Sequence, residues 1–295
     1  MLNILRAGFF RYLHSTAFKI CSSLTVVFAA LFSWRANKAT ELNELWFMFG
    51  TLMITVLITF VVGNETSSCI KNKLASGYTK TQVYFSEIIL ANIFALIYFS
   101  VFFVFFIVGN FYIVEHTPLF ISFQVVLAFA AMTLLLASAF CSIACAISSK
   151  TVPSIVCLVL VIALSITGLV VVEALNIVEF QKFAADKNGE WVYWQEKNPN
   201  YVDEPLRSLL VFYRDVNPYG QCAEYEKILL PFLYDDETWE EAKEATKNTI
   251  GNDFLKREIS DAERKYLIKT PFVTLIPIPV FIIAGWLIFK RKEFK

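Results

Sequence analysis

The chain has 295 residues, of which 57% are hydrophobic and 18% charged; a water-soluble domain could not hide that much apolar surface, so the bilayer must supply part of the solvent. The formal net charge is zero, but residues 174–270 carry 19 acidic and 13 basic side chains, a balance of −6 that the remaining residues offset at +6. An acidic water-facing segment between basic membrane flanks argues against nucleic acid as a partner.

In chain order, Leu2, Leu5, Phe9, Tyr12 and Leu13 recur at helical spacing with Arg6 and Arg11 off that face, which predicts an N-terminal helix lying in the membrane interface. A span needs about 20 apolar residues to cross the hydrocarbon. Six segments qualify: Ile20–Trp34, lengthened by Ala17 and Phe18 with Lys19 snorkelling, then Leu45–Gly63, Ile88–Gly109, Leu119–Ser149, Thr151–Val172 and Pro271–Phe289. Lys150 and Pro153 divide the fourth from the fifth and predict a tight helical hairpin. The first segment is read as an uncleaved span, because no small-x-small pattern closes it and five more follow.

Orientation follows from Lys and Arg in the short flanks. With the N-terminus inside, the inner segments hold Arg6, Arg11, Lys19, Lys71, Lys73, Lys80, Lys150, Lys290, Arg291, Lys292 and Lys295, while the outer short loops hold only Arg35 and Lys38. Both termini are therefore expected in the cytoplasm.

Cys21, Cys141, Cys145 and Cys157 lie in apolar runs, and Cys222 stands alone in the outer segment, so no disulfide framework is expected. Cys141 and Cys145, four apart on one helix, could share a metal, but His14 and His116 are both distant in sequence, and buried cysteine serves more often as small apolar filler. No phosphate-binding glycine loop, Ser/His/Asp set or paired-histidine motif can be assembled, which predicts a chain with no catalytic residues, metal or cofactor of its own. Span interiors hold neutral polar groups such as Asn92, Gln124 and Ser138, and Glu87 and Glu173 read as solvated carboxylates at span ends. Energy for any transport would then come from another subunit.

Between the second and third spans lies a loop, residues 64–82, in which Ile70 and Leu74 are four apart with Lys71 and Lys73 beside them. That spacing predicts a short amphipathic helix ending at Gly77, with its apolar pair exposed toward a protein groove or the membrane surface. The arrangement resembles the permease subunits of type 2 ABC exporters of bacteria. In them a carboxylate after the second span, here Glu65, leads into a coupling helix with a Lys-x-x-Leu-x-x-Gly rhythm, here Lys71, Leu74 and Gly77. Asn217-Pro218-Tyr219-Gly220-Gln221 also looks like a short motif of that family's last outer segment.

The resemblance implies an all-α integral membrane protein of the bacterial plasma membrane. Residues 1–173 would form the interfacial helix and spans one to five, 174–270 a large, mostly helical extracytoplasmic domain, and 271–295 the last span and tail. Glu65, Ile70, Lys71, Lys73, Leu74, Gly77, Tyr78 and Lys80 would engage two cytoplasmic ATPases, which bind the ATP and Mg. A second permease chain, identical or related, would complete the path. The 29 phenylalanines suit an apolar or amphipathic cargo, a peptide or lipid. The rival reading is a membrane receptor or immunity protein whose outer domain binds a ligand without transport. In that outer domain, aromatics from Phe180 to Tyr234 are expected to form a small core of their own. An acid-rich stretch from Asp235 and the stretch from Ile259 to Ile268 read as further helices.

Overall fold

The computed structural model describes residues 2–35, 68–109, 119–147, 152–187, 190–233 and 259–293. The expected second span Leu45–Gly63, Glu65 and the acid-rich stretch from Asp235 lie outside these residues. The described helices are α1 (Leu2–His14), α2 (Thr16–Arg35), α3 (Ser68–Ala75), α4 (Lys80–Gly109), α5 (Leu119–Ala146), α6 (Val152–Asn176), α7 (Leu206–Val216), α8 (Pro218–Leu233), α9 (Asp261–Leu275) and α10 (Pro277–Arg291). One antiparallel hairpin joins β1 (Phe180–Lys187) to β2 (Glu190–Lys197), in a register running from Phe180↔Lys197 to Lys187↔Glu190.

Four helical stretches are long and apolar enough to cross a membrane: Lys80–Phe105, Leu119–Ala146, Val152–Asn176 and Asp261–Arg291. A fifth arises if Leu2–His14 and Phe18–Leu31, bent by 61° at their junction, count as one span. The chain is thus a mostly helical protein suited to a membrane, with four or five candidate spans among the described residues. A helix pairs its interior backbone groups with itself, which is the condition for sitting in hydrocarbon, although Pro271, Pro277 and Pro279 interrupt that ladder in Asp261–Arg291.

The helices alternate in direction. Lys80 at the start of α4 donates to the carbonyls of Lys290 (3.1 Å) and Lys292 (2.7 Å) at the end of α10. Lys292 in turn donates to the carbonyls of Cys145 (3.3 Å) and Ile147 (3.1 Å) at the end of α5. Cations placed on the last carbonyls of helices satisfy groups that have no partner within the helix and oppose the negative end of its dipole. We call this the basic end. At the opposite end, Arg264 near the start of α9 lies 5.2 Å from the ring of Phe120 at the start of α5.

One apolar core joins α3, α4, α5, α6, α8, α9 and α10, with Tyr84, Met132, Phe140, Tyr225, Leu267 and Phe289 among its buried members. Within it Asn92 on α4 donates to Ser138 on α5 at 3.0 Å, and Ser138 returns a bond to the Asn92 side-chain carbonyl at 3.2 Å. A smaller cluster packs α1 and α2 on α4 through Tyr12, Cys21, Leu90, Phe94 and Tyr98.

The segment after α6 opens with the β-hairpin before its described helices α7 and α8; the register leaves two positions between the strands, and their Asn-Gly sequence is the strongest short hairpin signal. The expectation of a separate aromatic core is corrected among the described residues: Tyr219 and Tyr225 join the central core. Tyr225 of α8 lies 6.1 Å from Phe129 of α5, and the Cys222 thiol is 4.0 Å from the Met132 sulfur. The helix expected from Ile259 to Ile268 is present as α9, which starts at Asp261 and runs on into the apolar stretch that begins at Pro271. Ser260 accepts from the Glu263 N–H while the Glu263 carboxylate accepts from the Ser260 N–H at 2.7 Å, a reciprocal cap that fixes that start.

Candidate functional site

Most of the residues expected to contact an ATPase lie at the basic end, on and beside α3. Gly77 has φ 88° and nothing within 4 Å of a would-be Cβ, so glycine is required there by backbone conformation alone. Its N–H reaches the Leu74 carbonyl at 3.0 Å and the Tyr78 N–H reaches the Lys73 carbonyl at 3.2 Å, the paired bonds of a Schellman cap. The predicted helix and its glycine stop are both present.

The expected exposure of Ile70 and Leu74 is corrected. Ile70 is 1% exposed and belongs to the central core, and Leu74 and Tyr78 pack against the same cluster. A short helix beside a large bundle gains more by burying its apolar pair on its own chain than by leaving it in water. The residues α3 and its cap turn toward solvent are Lys71, Asn72, Ala75 and Ser76.

Glu87 is also corrected, from a solvated carboxylate to a buried one at 1% exposure. One oxygen accepts from the Lys73 ammonium at 2.5 Å and the other from the Tyr12 hydroxyl at 2.7 Å. A carboxylate on α4 thereby ties down α1 and α3 together, and the pairing compensates part of the cost of removing two charges from water. Lys73 and Lys80 are thus engaged within the chain, Lys73 by Glu87 and Lys80 by the end of α10. Burial holds the Lys292 ammonium below its usual value.

A second polar cluster, missed by the sequence reading, lies at the turn between α7 and α8. Asp215, 4% exposed, accepts from Arg214 through Nε at 3.1 Å and Nη2 at 2.8 Å on one oxygen, and from Lys269 of α9 at 2.8 Å on the other. Arg214 also pairs with Glu224 of α8 at 3.1 Å and lies 5.1 Å from the ring of Tyr266. The four charges cancel. Gln221, fully buried, donates to the Asp215 backbone carbonyl and accepts from Thr274 of α9 at 2.9 Å. Asn217 donates to the Leu164 carbonyl of α6 at 3.0 Å and accepts the Tyr219 N–H at 3.0 Å. Glycines on both sides permit this approach: a Cβ on Gly168 would stand 2.9 Å from the Gly220 nitrogen. The signal available in sequence was Asn217-Pro218-Tyr219-Gly220-Gln221 itself, preceded by the Arg214-Asp215 pair.

Cys141 and Cys145 are fully buried, and among the described residues no three His, Cys, Asp or Glu side chains gather as a metal site would require. In comparisons with known proteins, no protein-family model and no curated protein matches this chain.

Proposed function

We infer that the chain is the membrane-spanning permease subunit of an ATP-driven ABC exporter of the bacterial plasma membrane, with both termini in the cytoplasm. It works beside a second permease chain and two cytoplasmic ATPases that carry the ATP and Mg, and moves an apolar or amphipathic cargo, a peptide or a lipid, outward. The observation that carries this reading is the fastening of α3. A helix of eight residues ends in a rigid glycine cap and is tied by Lys73 to Glu87 of α4, which also holds Tyr12 of α1. A push on α3 from outside the bundle is therefore delivered to a candidate span and to the N-terminal helix at once. Such an element is what a chain without nucleotide-binding motifs needs if its energy comes from a partner.

The burial of Ile70 moves the proposed ATPase contact to the solvent side of α3 and its cap, Lys71, Asn72, Ala75 and Ser76. The test is affinity purification of the tagged chain from its native membrane, as wild type and as a Lys71→Glu, Ser76→Trp double variant. An ATPase should accompany the wild type, and the double variant should lose both that ATPase and ATP-driven export at unchanged membrane abundance. No ATPase with the wild type, or equal recovery with the variant, overturns the reading and leaves the ligand-binding receptor ahead.

A further inference from the structure

We propose that a water molecule is held between α8 and α9, where it links the Tyr225 and Tyr266 hydroxyls to the break that Pro271 makes in the last apolar stretch. The argument starts from polar atoms that the fold buries without a partner. Tyr225 is fully buried and Tyr266 half-buried, and among the described residues neither hydroxyl makes a hydrogen bond. Their rings stand 5.9 Å apart, so both belong to one contact between the two helices. A buried hydroxyl with no partner is costly, and two of them in one contact call for a common one.

The second, independent observation comes from the backbone of α9. Pro271 lies inside this helix and has no N–H, so the Leu267 carbonyl lacks the donor that an unbroken helix would supply. Leu267 is 0% exposed, and lipid offers no replacement for that donor. Tyr266, Leu267, Thr270 and Pro271 fall on one side of α9 at helical spacing. The Thr270 hydroxyl gives its proton to the Tyr266 carbonyl at 2.6 Å, and its oxygen faces the Tyr225 hydroxyl without closing a hydrogen bond. The contact thus gathers two donors short of an acceptor and two acceptors with room for a donor.

Water matches that set. It needs about two to four polar partners, and it spans groups too far apart to bond directly. Its protons answer the Leu267 carbonyl and the Thr270 oxygen, and its lone pairs answer the two tyrosines. An ion fits less well, because the phenols are neutral and the nearby charges are already closed on one another: Arg214 on Asp215 and Glu224, and Lys269 on Asp215. The same water explains how a proline is tolerated inside a candidate span, since it takes the place of the missing N–H.

This site does not depend on the exporter reading. The test exposes the full chain in phospholipid nanodiscs to millisecond X-ray pulses, which turn water into radicals where it stands, and mass spectrometry locates the side chains that gain oxygen. Tyr225 should be oxidised although buried, and Phe140, equally buried in the apolar core, should not. After rapid mixing with heavy-oxygen water, label should enter Tyr225 more slowly than the half-buried Tyr201, because a held molecule exchanges slowly with solvent. A second measurement needs no irradiation. Tyr225→Phe removes a satisfied hydroxyl and should lower the folding equilibrium constant about fivefold, whereas removing a bare one would raise it. Tyr225 as unreactive as Phe140, label arriving as fast as at Tyr201, or a Tyr225→Phe chain more stable than wild type would each overturn the proposal.

Discussion

Replacing Glu87 with alanine removes the acceptor shared by Lys73 and Tyr12 in a setting where water cannot readily substitute. The Glu87 side chain is 2% exposed and that of Lys73 13%. Removing one partner of a buried ion pair costs about 3–5 kcal/mol, and depriving a buried hydroxyl of its acceptor costs about 1–3 kcal/mol. Lys73 lies on a short helix near the surface and can turn partly into solvent, which lowers the first figure, so the sum comes to about 4 kcal/mol. Replacing both members of the pair, Glu87→Leu with Lys73→Met, removes the desolvated charges together and should cost less than about 2 kcal/mol. Steric trapping of the chain in bicelles measures both unfolding free energies, and proteolysis of α1 and α3 reports whether these two helices have come loose. If Glu87→Ala costs no more than the double replacement, the ion pair does not hold α1 and α3 to α4 and the reasoning fails.

The left-handed conformation of Gly77 predicts an ordered series in the same assay. Gly77→Val should cost about 1–3 kcal/mol from backbone strain alone, and Gly77→Asn distinctly less, because asparagine tolerates that region; equal costs would show that φ is not the cause. For Lys292, burial lowers the folded-state value below the ordinary lysine value of 10.5. The unfolded state then binds more protons in the window between the two values, so this group contributes stability that rises with pH through that window. The difference in stability between wild type and Lys292→Gln should shift toward wild type as pH climbs toward 10.5, and a flat or opposite difference in a melting series would contradict the burial of this ammonium.

How far the sequence carries the fold depends on the range of the forces involved. Uninterrupted apolar runs are local, and Ile88–Gly109, Leu119–Ser149, Thr151–Val172 and Pro271–Phe289 all correspond to helices suited to a membrane. The Gly77 stop is equally local and was legible. Glu87 looks solvated in the sequence because its partners stand 14 and 75 positions away, and nothing near it marks it as buried. The burial of Ile70 is hidden for a related reason: an apolar pair on a polar helix says that the face is covered, without saying by what. The α7–α8 segment shows a deeper ambiguity. Helical spacing of Leu206, Leu209 and Phe212 against Arg207 and Arg214 separates two faces, but periodicity is the same whether the charged face points to water or into the protein. Only the contacts of Asn217 with Leu164 and of Lys269 with Asp215 decide between them.

The lysine caps of the basic end set a timetable for biogenesis. Tyr84 donates to the Ile282 carbonyl across 198 positions, and Lys80 reaches the Lys292 carbonyl across 212. At about 5–20 residues per second, a ribosome takes on the order of 10–40 s to travel that distance, and α4 must remain in the membrane for the whole interval without the helix that closes over it. A cellular factor that shields polar groups in newly inserted helices would have its longest opportunity at the foot of α4. Slowing translation between residues 80 and 282 should increase loss of the chain to membrane proteases without any change to its finished structure.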